Sequence, residues 1–288
     1  MGKITDYSAI QVLNSGNVLL VDGTGGTKKI SANLLTKAFA EISDDVNVHK
    51  NTYGGRSLGT SVTAEQWAQI TAGTFHGMLV GDYWTINSVK WLIADFDYWL
   101  HCGDTECTAH HLVIIPETVL YNANMNDKVD NVDVTTGAYI GSKMYTTNLE
   151  NAKTTINTAF GAAHILEHKE WLANAVADGV ETAGAWVASK VELMNEIMVY
   201  GSNIFHNCVN GTKWPGGNYT IDKTQLALFR LDNTKIVAFN SSNQRASWWL
   251  RDVASATNFA LVYHGGAANL NGASASNGVR PAFGIFAS

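Results

Sequence analysis

The stretch from Arg245 to Ser288 constrains the fold more than any other part of the chain. It opens on a heavy cluster, Trp248, Trp249, Leu250, Arg251 and Asp252, and closes on another, Val279, Arg280, Pro281, Ala282 and Phe283. Between them, residues 254–277 are mostly Ala, Asn, Ser, Gly, Thr, His and Tyr, with no Lys, Glu or Pro. Bulky residues anchor a scaffold by being buried. Small polar residues with Tyr and Asn suit an adaptable contact surface, the chemistry that paratope loops use. The same composition also suits an ordinary Gly- and Asn-rich loop between two strands. The residues alone leave both readings open.

The totals set the frame. A chain of 288 residues is expected to form one large domain with appendages, or two domains. With 46% hydrophobic and 15% charged residues it can fill a core, and it lacks the charge that disorder requires. A net charge of −6 without a Lys/Arg cluster excludes a nucleic-acid partner. No apolar run approaches the roughly 20 residues of a membrane span, and no basic-then-apolar leader is expected at Met1–Tyr7. Three cysteines, an odd number, do not make a disulfide framework.

Residues 1–42 read as a small separate unit: an apolar strand at 18–22, a Gly-rich turn at 23–27, a returning strand at 28–31, and a helix over 32–42. The string Gly-Thr-Gly-Gly-Thr-Lys has the wrong spacing for a phosphate-binding loop, because Lys28 is followed by Lys29 and Ile30. Residues 43–75 read as a polar, Gly-rich linker carrying one short helix, with Thr63 as its cap and Gln66 three residues on. The globular module is expected to occupy 76–288. Its predicted elements are two strands around an Asn87-Ser88 turn, a buried strand at 111–116, and helices over 149–160, 163–177 and 189–200. The segments Ala227–Leu231 and Lys235–Phe239 are expected to be strands.

Several clusters invite chemistry. His101, Cys102, Cys107, His110 and His111 offer zinc ligands, but the spacing is loose and adjacent histidines diverge on a strand. A loop with solvent-facing His is the alternative, and a Cys102–Cys107 disulfide is a third reading. The Asn/Asp-rich run 122–133 has oxygen donors for calcium but not the loop pattern of a helix-loop-helix site. Asp95, Asp97, Asp104 and Glu106 are close in sequence, as a glycosidase pair would be, and as any acidic loop would be. No nucleophile elbow or Ser/His/Asp set stands out. The expectation is a non-enzymatic protein without cofactor or metal.

The string W-W-L-R-D, the small-polar tract and G-V-R-P-A-F resemble the C-terminal module of many Firmicutes and gut-phage proteins. They also resemble the variable region of proteins diversified by retroelements. That resemblance implies an α+β fold with a C-type-lectin-like module, mixed short strands with intervening helices, whose first and last strands pair. It also implies that Trp248, Trp249, Leu250, Arg251, Arg280 and Phe283 are scaffold. The displayed, ligand-binding residues would be Thr257, Asn258, Leu261, Tyr263, His264, Asn269, Leu270, Asn271, Ser274, Ser276 and Asn277, on one exposed face. Tyr263 and His264 would be the largest anchors, His264 adding pH sensitivity on contact with a ligand. The N-terminal strings I-T-D-Y-S-A-I and L-L-V-D-G-T-G-G-T-K-K-I resemble the attachment unit of gut-phage structural proteins. The resemblance implies a virion-surface protein, a fibre tip or decoration, that binds a host bacterial receptor or glycan. Residues 1–42 would attach it to other virion proteins or trimerise it. A purely structural decoration protein and a glycan-degrading enzyme are the alternatives.

Overall fold

The computed structural model of the chain describes residues 18–21, 28–127, 135–206 and 224–287. The architecture is mixed α+β, with many short strands and few helices. At the front, β1 (Val18–Val21) and β2 (Lys28–Ser31) pair antiparallel and lead directly into α1 (Ala32–Ala40). These match the expected strand, strand and helix; the turn between them lies outside the described residues.

Residues 43–75, expected to be a linker, are built into the body. Here α2 (Val46–Lys50), β3 (Ser57–Gly59) and α3 (Ala64–Ala72) follow one another, and β3 joins the main sheet beside the next strand. His49 is fully buried, its ring nitrogens 2.7 Å from the Met78 carbonyl and 2.8 Å from that of Ser43. Ile70 on α3 is also fully buried. The Gly-rich composition suggested a flexible connector, but the buried polar and apolar side chains within it fix it in place. The helix itself was legible: Thr63 and Gln66 form the predicted capping box, and Gly73 closes it in the left-handed region.

The main sheet has six strands in the order β10 (Val191–Leu193), β17 (Pro281–Ile285), β6 (Leu112–Pro116), β5 (Val89–Phe96), β4 (Tyr83–Ile86) and β3. Strands β4 (Tyr83–Ile86) and β5 (Val89–Phe96) turn at Asn87-Ser88, both with positive φ as a two-residue hairpin requires. Strand β6 (Leu112–Pro116) is buried along its whole length, the continuous apolar run of a central strand. The chain then steps into a second sheet through β7 (Tyr121–Ala123). Helix α4 (Leu149–Phe160) has the predicted bounds and buries Leu149, Ala152, Ile156 and Phe160. Phe160 meets Trp91 and Phe283 edge-on, at 5.6 and 5.5 Å between ring centroids.

The next two predicted helices are largely strands. Residues 163–177 hold β8 (His168–Ala177), which pairs with β9 (Val180–Ser189) as a long separate hairpin. Its alanines favour helix, but His168, Glu170 and Leu172 alternate inward at period two, and Asp178-Gly179, both with positive φ, turn a hairpin instead of ending a helix. In 189–200, β10 (Val191–Leu193) pairs with the last strand, and only α5 (Glu196–Tyr200) is helical, capped by Asn195. The expected strand at 227–231 is a helix, α6 (Ala227–Leu231), whose first N–H is held by the Asp95 carboxylate at 2.9 Å. Between 235 and 239 only Ala238–Phe239 forms a strand, β11, paired with β12 (Arg245–Ala246).

The C-terminal stretch makes β13 (Trp248–Val253), β14 (Asn258–Val262), β15 (Ala268–Gly272) and β16 (Asn277–Val279) in the second sheet, ordered β15-β14-β13-β16-β7. The chain changes sheets at Arg280 and ends as β17 (Pro281–Ile285) between β10 and β6. The last strand therefore does not pair with β4, the first strand after residue 76, from which two strands separate it. The second sheet is covered on both sides. Trp248, Leu250, Ala260 and Val262 enter the larger hydrophobic core, and Trp249, Val253, Phe259 and Leu261 enter a second one.

Candidate ligand-binding edge

The heavy residues flanking the tract are scaffold in the structure. Trp248, Trp249, Leu250, Arg280 and Phe283 are fully buried, and Arg251 nearly so. Alternation along β13 divides the work. Trp248 donates from its indole N–H to the Ile236 carbonyl at 3.1 Å, and Trp249, on the opposite face, donates to that of Ala123 at 2.9 Å. Arg280 sits at the seam between the sheets. Its Nε and Nη1 donate to the carbonyls of Pro116 and Lys235, both at 2.9 Å, and its guanidinium lies 5.1 Å from the Trp248 ring centre. Burial pushes this guanidinium down to about 9, with only Glu117 opposing the shift.

Arg251 and Asp252 anchor a polar interior that the sequence reading did not find. Arg251 Nη1 meets the Glu170 carboxylate, whose other oxygen lies 2.7 Å from His168 Nε2. Burial opposes ionisation of Glu170, but Arg251 and His168 outweigh it and hold the group down at about 2. Beside this pair, Glu192 accepts from the Tyr139 hydroxyl at 2.8 Å and the Ser189 hydroxyl at 2.9 Å. Burial, reinforced by the Glu170 charge, raises it to about 7. Asp252, also raised to about 7 by burial, accepts from the Glu196 N–H, while His206 stands 2.8 Å from Glu181 and 3.6 Å from Asp252. Glu196 in turn accepts from the backbone N–H groups of Ile204, Phe205 and His206. The period-two spacing of His168 and Glu170 was a signal for this interior; the alanine bias around it hid the strand.

The tract itself is an edge rather than one face. Tyr263 (44% exposed) and His264 occupy the turn between β14 and β15, their rings 3.9 Å apart. That turn is tied down by Tyr263 N–H to the Ala267 carbonyl and by the Tyr200 hydroxyl to the Gly266 carbonyl. Thr257, Asn258, Asn271, Ser274 and Ser276 gather at the other end, where Ala273 N–H bonds the Thr257 carbonyl. The five residues of β14 put roughly 15 Å between the two ends. Asn271 and Ser276 are exposed, whereas Thr257, Asn258, Ser274 and Asn277 are half-buried.

Two of the expected placements fail. Leu261 is buried at 2% exposure, because β14 lies inside the sheet and its Phe-Ala-Leu-Val run meets a core on each side. Asn269 and Leu270 are consecutive on β15 and so point to opposite faces. On this outermost strand Asn269 and Asn271 each return their amide oxygen to the next N–H, of Leu270 and Gly272, at 2.8 Å.

The other clusters resolve into structural contacts. His111 is fully buried; Trp99 N–H donates to its Nε2, and its Nδ1 faces the Ala109 carbonyl at 2.9 Å. That geometry needs the neutral ring, and burial drives its pKa down to about 3. His110 Nδ1 lies 2.7 Å from the Asp97 carboxylate, whose other oxygen accepts from the His111 backbone N–H, and His101 faces Glu106. Among the described residues no group of three or more such side chains is placed to hold a metal ion. The buried Cys102 and Cys107 thiols face the carbonyls of Leu100 and Ala109, and Cys208 lies outside the described residues, as does half of the run 122–133. Asp95 is taken by Lys50 at 3.2 Å and by two backbone N–H groups. No helix among the described residues is long and apolar enough to cross a membrane.

The stretch that holds the tract and both heavy clusters is also the part that comparison recognises. Residues 184–286 are similar to DUF6273. That family is described as a domain of unknown function, and the similarity spans a little over a third of the chain. The DUF6273 stretch includes W-W-L-R-D and R-P-A-F entire, and starts within β9, so that the ribbon's first strand and the six-stranded sheet's β3 to β6 precede it. No curated protein and no solved structure matches the chain.

Proposed function

We propose that the chain is a phage virion-surface protein, a fibre tip or a head or tail decoration, that binds a host bacterial receptor or glycan through residues 254–277. In this reading the body from β4 to β17 is a C-type-lectin-like module and carries no catalytic activity. The observation that carries the proposal is the contrast within one stretch. Its two flanks are locked into both cores, while the segment between them reaches solvent at the Tyr263–His264 turn and at the Asn271–Ser276 end. Tyr263 is the natural anchor, since a large amphipathic ring loses little conformational freedom on binding. The non-enzymatic reading is supported by the carboxylates described above, which are held by structural partners. Residues 1–42 are assigned to attachment or trimerisation.

The experiment is binding of the purified full chain to host cells and to a glycan array, with Tyr263→Ala beside it. The variant is expected to bind at least tenfold more weakly, about 1.4 kcal/mol, with its melting temperature unchanged. Normal binding by the variant, or loss of its fold, refutes the assignment. The reading as a purely structural decoration protein draws on the half-buried state of Thr257, Asn258, Asn269 and Leu270. It predicts that the native chain binds neither cells nor glycans.

A further inference from the structure

The chain holds three Asn-Gly pairs, at 271–272, 277–278 and 210–211, the last outside the described residues. Such a pair carries a reaction of its own. The glycine's backbone nitrogen can attack the side-chain amide carbon of the asparagine, because no side chain on the glycine stands in the way. The structure treats the two described pairs differently. Gly272 closes β15, the outermost strand of its sheet. Ala273 N–H bonds the Thr257 carbonyl, so the alternation of an antiparallel ladder turns Gly272 N–H away from β14, toward the open rim. There it donates to Oδ1 of its own Asn271 at 2.8 Å. A carbonyl bond of about 1.2 Å puts the amide carbon Cγ within about 4 Å of that nitrogen, one side-chain rotation short of a near-attack arrangement. Asn271 is exposed, so hydroxide and water reach it. The pair at 277–278 has none of this: Gly278 is buried, and its N–H is committed to the Ser247 carbonyl at 2.9 Å. Asn269 repeats the Asn271 contact at 2.8 Å, but its neighbour is Leu270, whose side chain crowds the nitrogen.

We propose that Asn271 is a self-modification site, at which the tract converts its own amide to a carboxylate without enzyme or cofactor. Hydroxide removes the Gly272 amide proton. The nitrogen lone pair then forms a bond to Asn271 Cγ and closes a five-membered succinimide. The Cγ–Nδ2 bond breaks as Nδ2 takes a proton from water and leaves as ammonia. Water then opens the ring. Attack at Cγ leaves an aspartate side chain at position 271, and attack at the backbone carbonyl leaves isoaspartate, whose main chain is one methylene longer. The whole sequence consumes one water and releases one ammonia. Strand β15 ends at Gly272, ahead of a turn at 273–275, so the backbone rotation that ring closure demands falls at the strand's end. The product puts a negative charge at the end of the tract where Thr257, Asn258, Ser274 and Ser276 gather. The effect of that charge on recognition rests on the function proposed above; the modification and its test do not.

The test is mass spectrometry of the full chain incubated at mildly alkaline pH, folded and in denaturant, with fragmentation to place each change. In the folded chain, position 271 is expected to gain one mass unit, as aspartate and isoaspartate, roughly tenfold or more faster than position 277. In denaturant the two positions are expected to react at similar rates, since the fold is what separates them. Gly272→Ala is expected to keep the native melting temperature, because an added Cβ meets nothing nearer than Asn258 Oδ1 at 3.9 Å. It should slow the change at Asn271 by roughly tenfold or more. Asn271→Gln, whose side chain would have to close a six-membered ring, is expected to leave position 271 unmodified over the same period. Equal rates at 271 and 277 in the folded chain overturn the inference, as does the same preference for 271 in denaturant. A Gly272→Ala chain that reacts as fast as the native one also overturns it.

Discussion

Glu192→Gln tests the polar interior through the pH dependence of stability. Glu192 is enclosed, and its pKa is raised from 4.5 to about 7 by burial and by the Glu170 charge. The folded protein thus keeps a proton that the unfolded chain has already released. Stability from this group is complete below about pH 4.5, falls as pH rises toward 7, and is level above. A difference of about 2.5 units at roughly 1.4 kcal/mol each makes a loss on the order of 3 kcal/mol. Asp252, raised from 3.8 to about 7, acts in the same direction over the same window. Glu170 acts the other way, but its contribution is lost only as pH falls from 4.5 toward 2, outside that window. Denaturant unfolding followed by tryptophan fluorescence from pH 5 to 8 should therefore show the native chain losing stability as pH rises. Glu192→Gln keeps the shape and removes the titration, so its decline should be shallower, leaving the shares of Asp252 and of Asp82, which burial raises to about 6, offset between pH 5 and 6.5 by His111, which burial keeps neutral in the fold. A native chain equally stable at both ends of the range, or a variant with an undiminished slope, would refute the assignment.

Other perturbations follow from the packing. Trp249→Ala should destabilise the chain by about 3–5 kcal/mol, since it empties a fully buried site and orphans the Ala123 carbonyl, read by denaturant midpoint. Gly179→Ala should lower the melting temperature, because φ there is +75° and an added Cβ would stand 2.6 Å from the Ala256 backbone nitrogen. Its amide spectrum should change at 254–258 as well as at the ribbon turn. Removal of residues 1–42 should leave a folded body by circular dichroism. Removal of residues 1–75 should not, because it takes away β3, α3 and the buried Ile70.

Local signals survived into the structure where local chemistry decides the element. The Thr63–Gln66 capping box, the Asn87-Ser88 turn and the 149–160 helix were all legible, and so were the buried flanks at Trp248–Arg251 and Arg280–Phe283. What failed was decided at a distance. The helix at 227–231 is capped by Asp95, which is 132 residues away in sequence. The fate of Leu261 depends on β13 and β15 lying on either side of it, a fact no local window contains. Alanine-rich 163–177 carried opposing signals, helical propensity against period-two polarity, and tertiary pairing with β9 decided between them. The interior around Arg251 and Asp252 draws its partners from Glu170, Glu181, Glu196 and His206, so no spacing along the chain announced it.

The asparagines of β15 bear on how freely this region can change. A strand at the rim of a sheet invites a neighbour to extend it, and soluble proteins blunt such rims. Here the plug is supplied by Asn269 and Asn271, whose amide oxygens occupy the open N–H groups of the residues after them. Exchange for Asp or Ser keeps an acceptor within reach; exchange for Ala, Val or Leu unplugs the rim and makes a seed for intermolecular sheet. A lineage that altered its contacts here would be confined to replacements that keep the plug, and the abundance of asparagine would then record colloidal safety as much as recognition.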